Sequence, residues 1–367
     1  MTGSTSIPIE SMAEWLSLQD GLLIVAGPCS VEGHHQLAAT ARGLAATGKV
    51  SVLRAGVWKP RSRPGQFEGC GAEALAWLTD IREETGMPVA VEVARPGHAE
   101  LCLKHRIDMI WLGARTTVNP FMVQEIANAI RGTGIPVMIK NPVCPDLPLW
   151  IGAIERIFLA GTQKLIAIHR GFQTHVKIRY RNIPLWDIPM ALKKELPQLP
   201  VLCDPSHIAG NESLLLEVSL KAMMLKMDGL MIEVHHQPGK ALTDPIQQIN
   251  PGRFDQIMKQ LDPLKSDSNA TKALQALREQ IDEHDHQVLN MLAKRLSLSE
   301  EIGKLKKEHG QGIVQPSRQK DLFEDRQKQG ETLGLRPGFV ETLLRLLHDE
   351  SVSVQSKHRK GNDGIKG

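Results

Sequence analysis

The sequence predicts an α/β chain in which a (β/α)₈ barrel is followed by a small all-helical unit. Three observations predict it. Eight short apolar runs rich in β-branched residues recur with helical patterns between them. The runs are continuous rather than alternating, as expected of parallel strands buried on both faces. Beyond about residue 262 the strand signal stops and amphipathic helices take over.

The eight runs are LLIVAG from 22, VSVLRAGV from 50, PVAVEV from 88, MIWLGA from 109, PVMIK from 136, LIAIHRG from 165, PVLCDPSH from 200 and GLMIEVH from 229. Eight strand–helix units close into a barrel, with the strands' C-terminal ends on one face, where this fold places its active sites. Nearly every run ends in a chemically capable residue: Cys29, Arg54 with Lys59, Glu92, Arg115, Lys140, His169 with Arg170, His207 and Glu233. A run of polar strand termini without function accounts for one or two of these and not for the whole set.

At 367 residues the chain exceeds the usual single domain. The expected division is a barrel with a short N-terminal arm over 1–262, a linker over 263–271 (within LDPLKSDSNAT), a helical domain over 272–356 and a disordered basic tail over 357–367. Lys and Arg (44) nearly balance Asp and Glu (41), so no nucleic-acid partner is expected and any anion binding must be local. The first twenty residues have neither a basic start nor an apolar stretch, and no apolar run has membrane length, so neither a secretion signal nor a membrane span is expected. Five scattered cysteines argue against a disulfide framework and for a reducing, cytoplasmic location.

Arg54, Lys59, Arg61, Arg115, Lys140 and Arg170 are expected on one rim, where guanidinium forks suit phosphate and carboxylate oxygens; two anionic substrates are the reading. Cys29, His207, Glu233 and Asp244 follow the first, seventh and eighth strands, which become neighbours when the barrel closes. One thiolate, one imidazole and two carboxylates suit a divalent ion, with Mn²⁺, Fe²⁺, Co²⁺ and Zn²⁺ all compatible. His235 and His236 are rival ligands, and Cys203 reads as core.

In order along the barrel stand GPCSVE (27–32), KPRS (59–62), GART (113–116), IK (139–140), HRG (169–171), DPSH (204–207) and EVH (233–235). With these motifs the chain resembles the 3-deoxy-D-arabino-heptulosonate 7-phosphate (DAHP) synthases over about 20–260, in the branch close to the sialic-acid-type and octulosonate synthases. The resemblance implies condensation of phosphoenolpyruvate with erythrose 4-phosphate. It implies metal ligation by Cys29, His207, Glu233 and Asp244, with Mn²⁺ the first expectation. Arg115, Lys140 and Arg170, with Lys59 near the carboxylate, would bind phosphoenolpyruvate, and Arg61 and Ser62 the aldose phosphate. Arg54 and Pro60 complete the expected substrate-binding set, and Glu92 is the candidate for orienting the attacking water or is structural. Two departures stand out: His236 where Pro is expected, and Pro245 after Asp244 where Gly is usual. An octulosonate synthase would typically read KANRS where this chain reads KPRS, which favours the four-carbon aldose.

In the helical unit, Leu274, Leu277, Ile281, Val288, Leu292, Ile302 and Leu305 predict one helix over about 270–309. At 1.5 Å per residue it spans about 60 Å, too long for a lone small domain, so a partner chain is expected. Arg295 and Lys306 lie eleven residues apart and about 20° from each other around the helix, so they can hold one ligand; Arg278 is displaced by about 25 Å and rotated by about 100°, so it cannot join them within the same helix, and a second protomer could supply it. ALREQID, NMLAKRLSLSEEIGKLKKE, QPSRQ and HDESVSVQ resemble the AroQ-type chorismate mutases over most of 270–356. That resemblance implies a homodimer in which Arg278 of one subunit meets Arg295, Lys306, Arg318, Gln319, Ser351 and Gln355 of the other around chorismate. Lys306 and Gln355 would face the breaking ether bond. Gln315 and Gln319 stand where some relatives have carboxylates. Prephenate, downstream of the barrel's product, is the expected feedback ligand. The alternative is an octulosonate-type barrel carrying a non-catalytic, ligand-sensing dimerisation module.

Overall fold

Each of the eight runs forms a strand in the computed structural model, which describes residues 7–61, 63–175, 178–261, 268–313 and 316–357, with the side chains of 268–280, 282, 283, 316–319 and 357 outside the description. The strands are β1 (Leu23–Gly27), β2 (Val52–Ala55), β3 (Val89–Val93), β4 (Met109–Leu112), β5 (Val137–Lys140), β6 (Leu165–His169), β7 (Val201–Cys203) and β8 (Gly229–Glu233). They pair in parallel in sequence order and close through β1 and β8, which aligns Gly27 with Glu233.

Side chains alternate along each strand, so every second residue points into the barrel. Leu23, Val25, Val52, Ala90, Met109, Trp111, Met138, Ile166, Ile168, Leu202 and Met231 form the inner core. The intervening residues, such as Ile24, Leu53, Val91, Ile139 and Cys203, face the helical layer and join a second, larger core. This double burial is why the runs carry no alternation. Met12, in a 3₁₀ turn (Met12–Glu14), packs with Trp15, Leu16 and Leu18 against the inner core, so the short arm closes the N-terminal end of the barrel.

The outer helices are α1 (His34–Ala45), α2 (Glu73–Thr85), α3 (Pro96–Lys104), α4 (Ala114–Thr117), α5 (Pro120–Ala129), α6 (Leu147–Leu159), α7 (Asp187–Glu195), α8 (Pro205–Ala209), α9 (Leu215–Met224) and α10 (Pro251–Leu261). Several begin with a capping residue followed by proline, which needs no amide partner at a helix's first turn. Asn119 caps α5, Asp146 caps α6 and Asp204 caps α8 in this way.

The chain divides into two units, 1–266 and 267–367. The second holds α11 (Ser268–Glu308), α12 (Pro316–Thr332) and α13 (Pro337–Lys357). Helix α11 starts at Ser268, so residues 268–271, expected as linker, are helical: Ala270, Lys272 and Ala273 are good helix formers and nothing before Leu274 breaks the run. The rest of the expected linker, 263–267, and tail residues 358–367 lie outside the described residues. Among the described residues no helix is long and apolar enough to cross a membrane.

Candidate functional site

The alternation that fills the barrel with Leu, Val, Ile and Met turns polar in its last layer. Counting on by two from Val52, Ala90, Met138, Leu202 and Met231 reaches Arg54, Glu92, Lys140, Asp204 and Glu233. A cavity of about 540 Å³ opens above them, lined among others by Lys59, Arg61, Glu92, Arg115, Lys140, Arg170, His207 and Asp244. Gly113 gives Glu92 its room: a Cβ there would come within 2.1 Å of Glu92 Oε1.

On one side the acceptors gather. Donor atoms of Cys29, Glu233 and Asp244 lie within 4.8 Å of one another. Cys29 Sγ donates to Asp244 Oδ2 at 3.4 Å; His207, the fourth expected ligand, is not in this close set but stands beside it, its Nε2 3.8 Å from Glu233 Oε1. Burial, then the charge of Glu233, pushes the Cys29 thiol up to about 12. Glu233 is fully buried, yet His207 and Arg54 hold its carboxyl well below the usual range. Lys59 lies above its ordinary value because Cys29, Glu92 and Glu233 outweigh the burial that opposes its charge. A buried thiol and two carboxylates raising one another's cost of ionisation fit a cation, and sulfur, nitrogen and oxygen donors together fit a divalent transition ion. His235 and His236 are not in this group: His235 Nε2 faces Glu32 Oε2 at 3.5 Å, and His236 packs on His235 and His35.

The other side has the opposite imbalance. Burial, with Arg181 and Arg115 adding repulsion against the attraction of Asp204, lowers Arg170 to about 10. Lys140 is lowered too, by burial and by Arg54, although its ammonium donates to Asp204 Oδ2 at 2.8 Å. Cations crowded below their ordinary values are stabilised by an anion, so this half is built for a negatively charged ligand. Arg115 Nη1 donates to the Pro60 carbonyl at 2.7 Å, and Arg61 Nε to Gln66 Oε1 at 3.0 Å, which ties the loop after β2 across the mouth.

Five of the six expected rim cations line the cavity. Arg54 does not: it is wholly buried beneath the floor, donating to Glu233 Oε1 at 3.2 Å and lying 5.1 Å from the Trp111 ring. It belongs to the strand itself, one layer deeper than Lys59. His169 faces outward onto Phe172 and Trp186, whereas Arg170 turns to the cavity. Ser62 lies outside the described residues.

Several residues at the site were not singled out from sequence. Asp204 is buried between Lys140 and His207, and in DPSH it reads first as a helix cap. Arg181 pairs with Asp244 at 3.0 Å and with Gln247, which in turn donates to Glu233. Asn182 accepts from Arg170 at 2.8 Å. The unusual length of the connection from β6 to α7 was the available signal for these last two.

In the helical unit a second polar cluster forms between α11 and α13. Arg295 Nη1 donates to Leu347 O (3.0 Å) and Ser351 Oγ (2.6 Å), and Lys306 Nζ to Ile313 O (2.6 Å) and Gln355 Oε1 (3.3 Å). Gly303 permits the approach, since a Cβ there would lie 3.0 Å from Gln355 Cα. The side chains of Arg278, Arg318 and Gln319, and residue Gln315, lie outside the described residues.

The profile of the DAHP synthetase I family matches residues 8–269, and that of chorismate mutase type II matches 277–356. A phospho-2-dehydro-3-deoxyheptonate aldolase of Thermotoga maritima is 31% identical over 241 residues, covering 66% of this chain and 69% of that protein. The crystal structure of the DAHP synthase of that organism aligns with a TM-score of 0.61 at 31% identity, over 67% of this chain and 70% of its own. A T-protein of Enterobacter agglomerans is 41% identical over 83 residues, 23% of this chain but only 22% of that protein.

Proposed function

The chain belongs to the DAHP synthetase I family and carries a type II chorismate mutase domain after its barrel, and from that premise we propose how its residues divide the work. The enzyme is bifunctional within the shikimate pathway. One unit condenses phosphoenolpyruvate with erythrose 4-phosphate to DAHP and phosphate; the other rearranges chorismate to prephenate.

The observation that supports the synthase assignment most is the division of the cavity into an electron-rich and a cationic half. The family generally depends on a divalent metal. Cys29, His207, Glu233 and Asp244 would hold that ion, with Mn²⁺ the first expectation and Fe²⁺, Co²⁺ or Zn²⁺ sharing the donor preference. Bound there, it would polarise the aldehyde carbonyl as a Lewis acid. Arg115, Lys140 and Arg170 hold the phosphate of phosphoenolpyruvate, and Lys59, set between the two halves, takes its carboxylate. Arg61 and Pro60 position the aldose phosphate at the mouth, and Ser62 is assigned to the same phosphate by its place in the KPRS motif. Glu92 lies in the floor with its carboxylate toward the cavity, where it orients the water that adds after carbon–carbon bond formation. Arg54 acts from below by keeping Glu233 ionised rather than by touching substrate.

In the mutase, the reaction needs a compact conformer and donors near the breaking ether bond. Arg295 and Ser351 take a carboxylate, Lys306 and Gln355 the ether side, and Arg318, Gln319 and a partner subunit's copy of Arg278 complete the enclosure. Ile281, Val288, Leu289, Met291, Leu298, Ile302 and Leu305 are all exposed on α11, which supports a homodimer joined through this unit. Prephenate is the proposed feedback ligand, lowering the synthase rate of the intact chain. The synthase is assigned to 1–262 and the mutase to the helical unit, whose first helix begins at Ser268.

The decisive assay is phosphate release from phosphoenolpyruvate with erythrose 4-phosphate or arabinose 5-phosphate, with and without chelator. Release with the four-carbon aldose alone, abolished by chelation and restored by Mn²⁺, is expected. Equal turnover of both aldoses, or indifference to exhaustive chelation, refutes the assignment.

A further inference from the structure

Among the described residues, Asp204 is the buried charged residue for which the division of labour above has no role. It follows β7 in the inward-facing position two residues after Leu202, and Pro205 starts α8 behind it. Its two oxygens are used differently. Oδ1 accepts the His207 backbone N–H at 3.0 Å and so fixes where the first turn of α8 presents that residue. Oδ2 lies 2.8 Å from His207 Nδ1 and 2.8 Å from Lys140 Nζ.

The ring contact is close rather than well aligned as a hydrogen bond, and among the described residues His207 Nδ1 has no other partner. With Nδ1 turned to Asp204, the nitrogen directed at Glu233 is Nε2. An imidazole that ligates a metal through one nitrogen ordinarily gives its other N–H to a carboxylate, which fixes ring orientation and raises basicity. Here the same carboxylate oxygen also holds an ammonium in the cationic half. Asp204 and Glu233 are wholly buried and Lys140 nearly so, so solvent does little to screen these contacts.

We propose that Asp204 is a positioning residue that joins the two halves of the synthase site: it orients His207 Nε2 toward the divalent ion and anchors Lys140 for the anionic substrate, so that occupancy of one half is felt in the other. The inference rests on the reading of Cys29, His207, Glu233 and Asp244 as the metal site. A carboxylate oxygen shared by an imidazole N–H and an ammonium leans toward whichever is present. Weakening one contact strengthens the other, and by linkage the coupling is reciprocal.

The test measures Mn²⁺ binding to the full chain by competition with a fluorescent chelator, independently of turnover. Parent, Cys29→Ala, Asp204→Asn, Lys140→Met and the Asp204→Asn/Lys140→Met double variant are compared, each checked by circular dichroism. Asp204→Asn is expected to weaken Mn²⁺ binding by about 10–100-fold, the usual effect of losing such a partner, and saturating Mn²⁺ to recover much of kcat while KM for phosphoenolpyruvate stays raised. Lys140→Met is expected to tighten Mn²⁺ binding severalfold, and the double variant to lose that gain. Folded Asp204→Asn with parental Mn²⁺ affinity, or strictly additive effects of the two substitutions, overturns the proposal. If Asp204→Asn does not fold, an unchanged Mn²⁺ affinity in Lys140→Met overturns it instead. Cys29→Ala keeps the two ideas separable: its retaining full Mn²⁺ binding refutes the metal site itself, whereas loss there with no loss in Asp204→Asn refutes only the positioning role.

Discussion

Arg54→Met isolates what a buried cation does beneath a metal site. The Arg54 guanidinium and the Glu233 carboxylate are both without solvent exposure and 3.2 Å apart. At an effective dielectric of about 20, unit charges at that separation attract by about 5 kcal/mol. Part of this is offset on removal, because Arg54 Nε and Nη1 have no hydrogen-bond partner among the described residues and a buried, half-satisfied guanidinium is itself costly. Glu233 also keeps Gln247 and His207 beside it. The expected loss is therefore about 3 kcal/mol, the lower end of the usual range for orphaning one partner of a buried pair. For a barrel of this size that lowers Tm by roughly 6–12 °C in the presence of chelator. Mn²⁺ supplies Glu233 with a new positive neighbour, so the Tm rise on adding it is expected to be larger in Arg54→Met than in the parent. Differential scanning calorimetry with chelator and with saturating Mn²⁺ measures both. A variant that melts within about 2 °C of the parent in chelator, or that gains no more than the parent from Mn²⁺, shows that Arg54 does not hold the Glu233 charge.

Arg61→Ala should raise KM for erythrose 4-phosphate by roughly tenfold or more, the loss of one charge-assisted hydrogen bond, with little change for phosphoenolpyruvate; equal effects in steady-state kinetics would show the two anion sites to be misassigned. Arg278→Ala and Arg295→Ala should each abolish mutase activity, and mixing them under conditions of proven subunit exchange should restore part of it by forming sites that carry neither substitution; no recovery argues for a site within one chain. His169→Phe concerns pH. Burial lowers the imidazole to about 3, below its unfolded value of about 6.5, so between those values the unfolded chain binds more protons and stability falls as pH falls. The parent should lose about 2 kcal/mol from this residue between pH 7 and pH 5, and the variant should show a smaller drop in barrel Tm over that interval. An identical drop in both means that His169 is protonated in the folded state.

The strand count, the order of the motifs and the change to helix beyond about residue 262 were readable because each rests on local composition and spacing, though the helix starts at Ser268, inside the expected linker. So was the meeting of Cys29 with Glu233, which follows once β1 pairs with β8 and brings Gly27 opposite Glu233. In the helical unit the eleven-residue step from Arg295 to Lys306 is a property of helix geometry alone, and both do reach α13, Arg295 at Ser351 and Lys306 at Gln355.

What could not be read is parity and depth. A strand buried on both faces carries no alternation, so hydrophobicity cannot say whether His169 or Arg170 turns inward; the answer comes only from Ile166 and Ile168 lying in the inner core. Depth fails for the same reason. Arg54 and Lys59 are five residues apart on one strand-to-loop segment, yet one is sealed under Glu233 and Trp111 while the other reaches the cavity. A charged residue within an apolar strand looks, in sequence, like the start of its polar end. Asp204 was hidden differently, because an aspartate before proline already has a sufficient local explanation as a helix cap. Its second oxygen, the one facing Lys140 from a neighbouring part of the barrel 64 residues away in sequence, acquires meaning only when the barrel closes. Residues with a complete local reason to exist are therefore where a further, nonlocal role is hardest to see, and the inner ends of such strands are where substitution should be most informative.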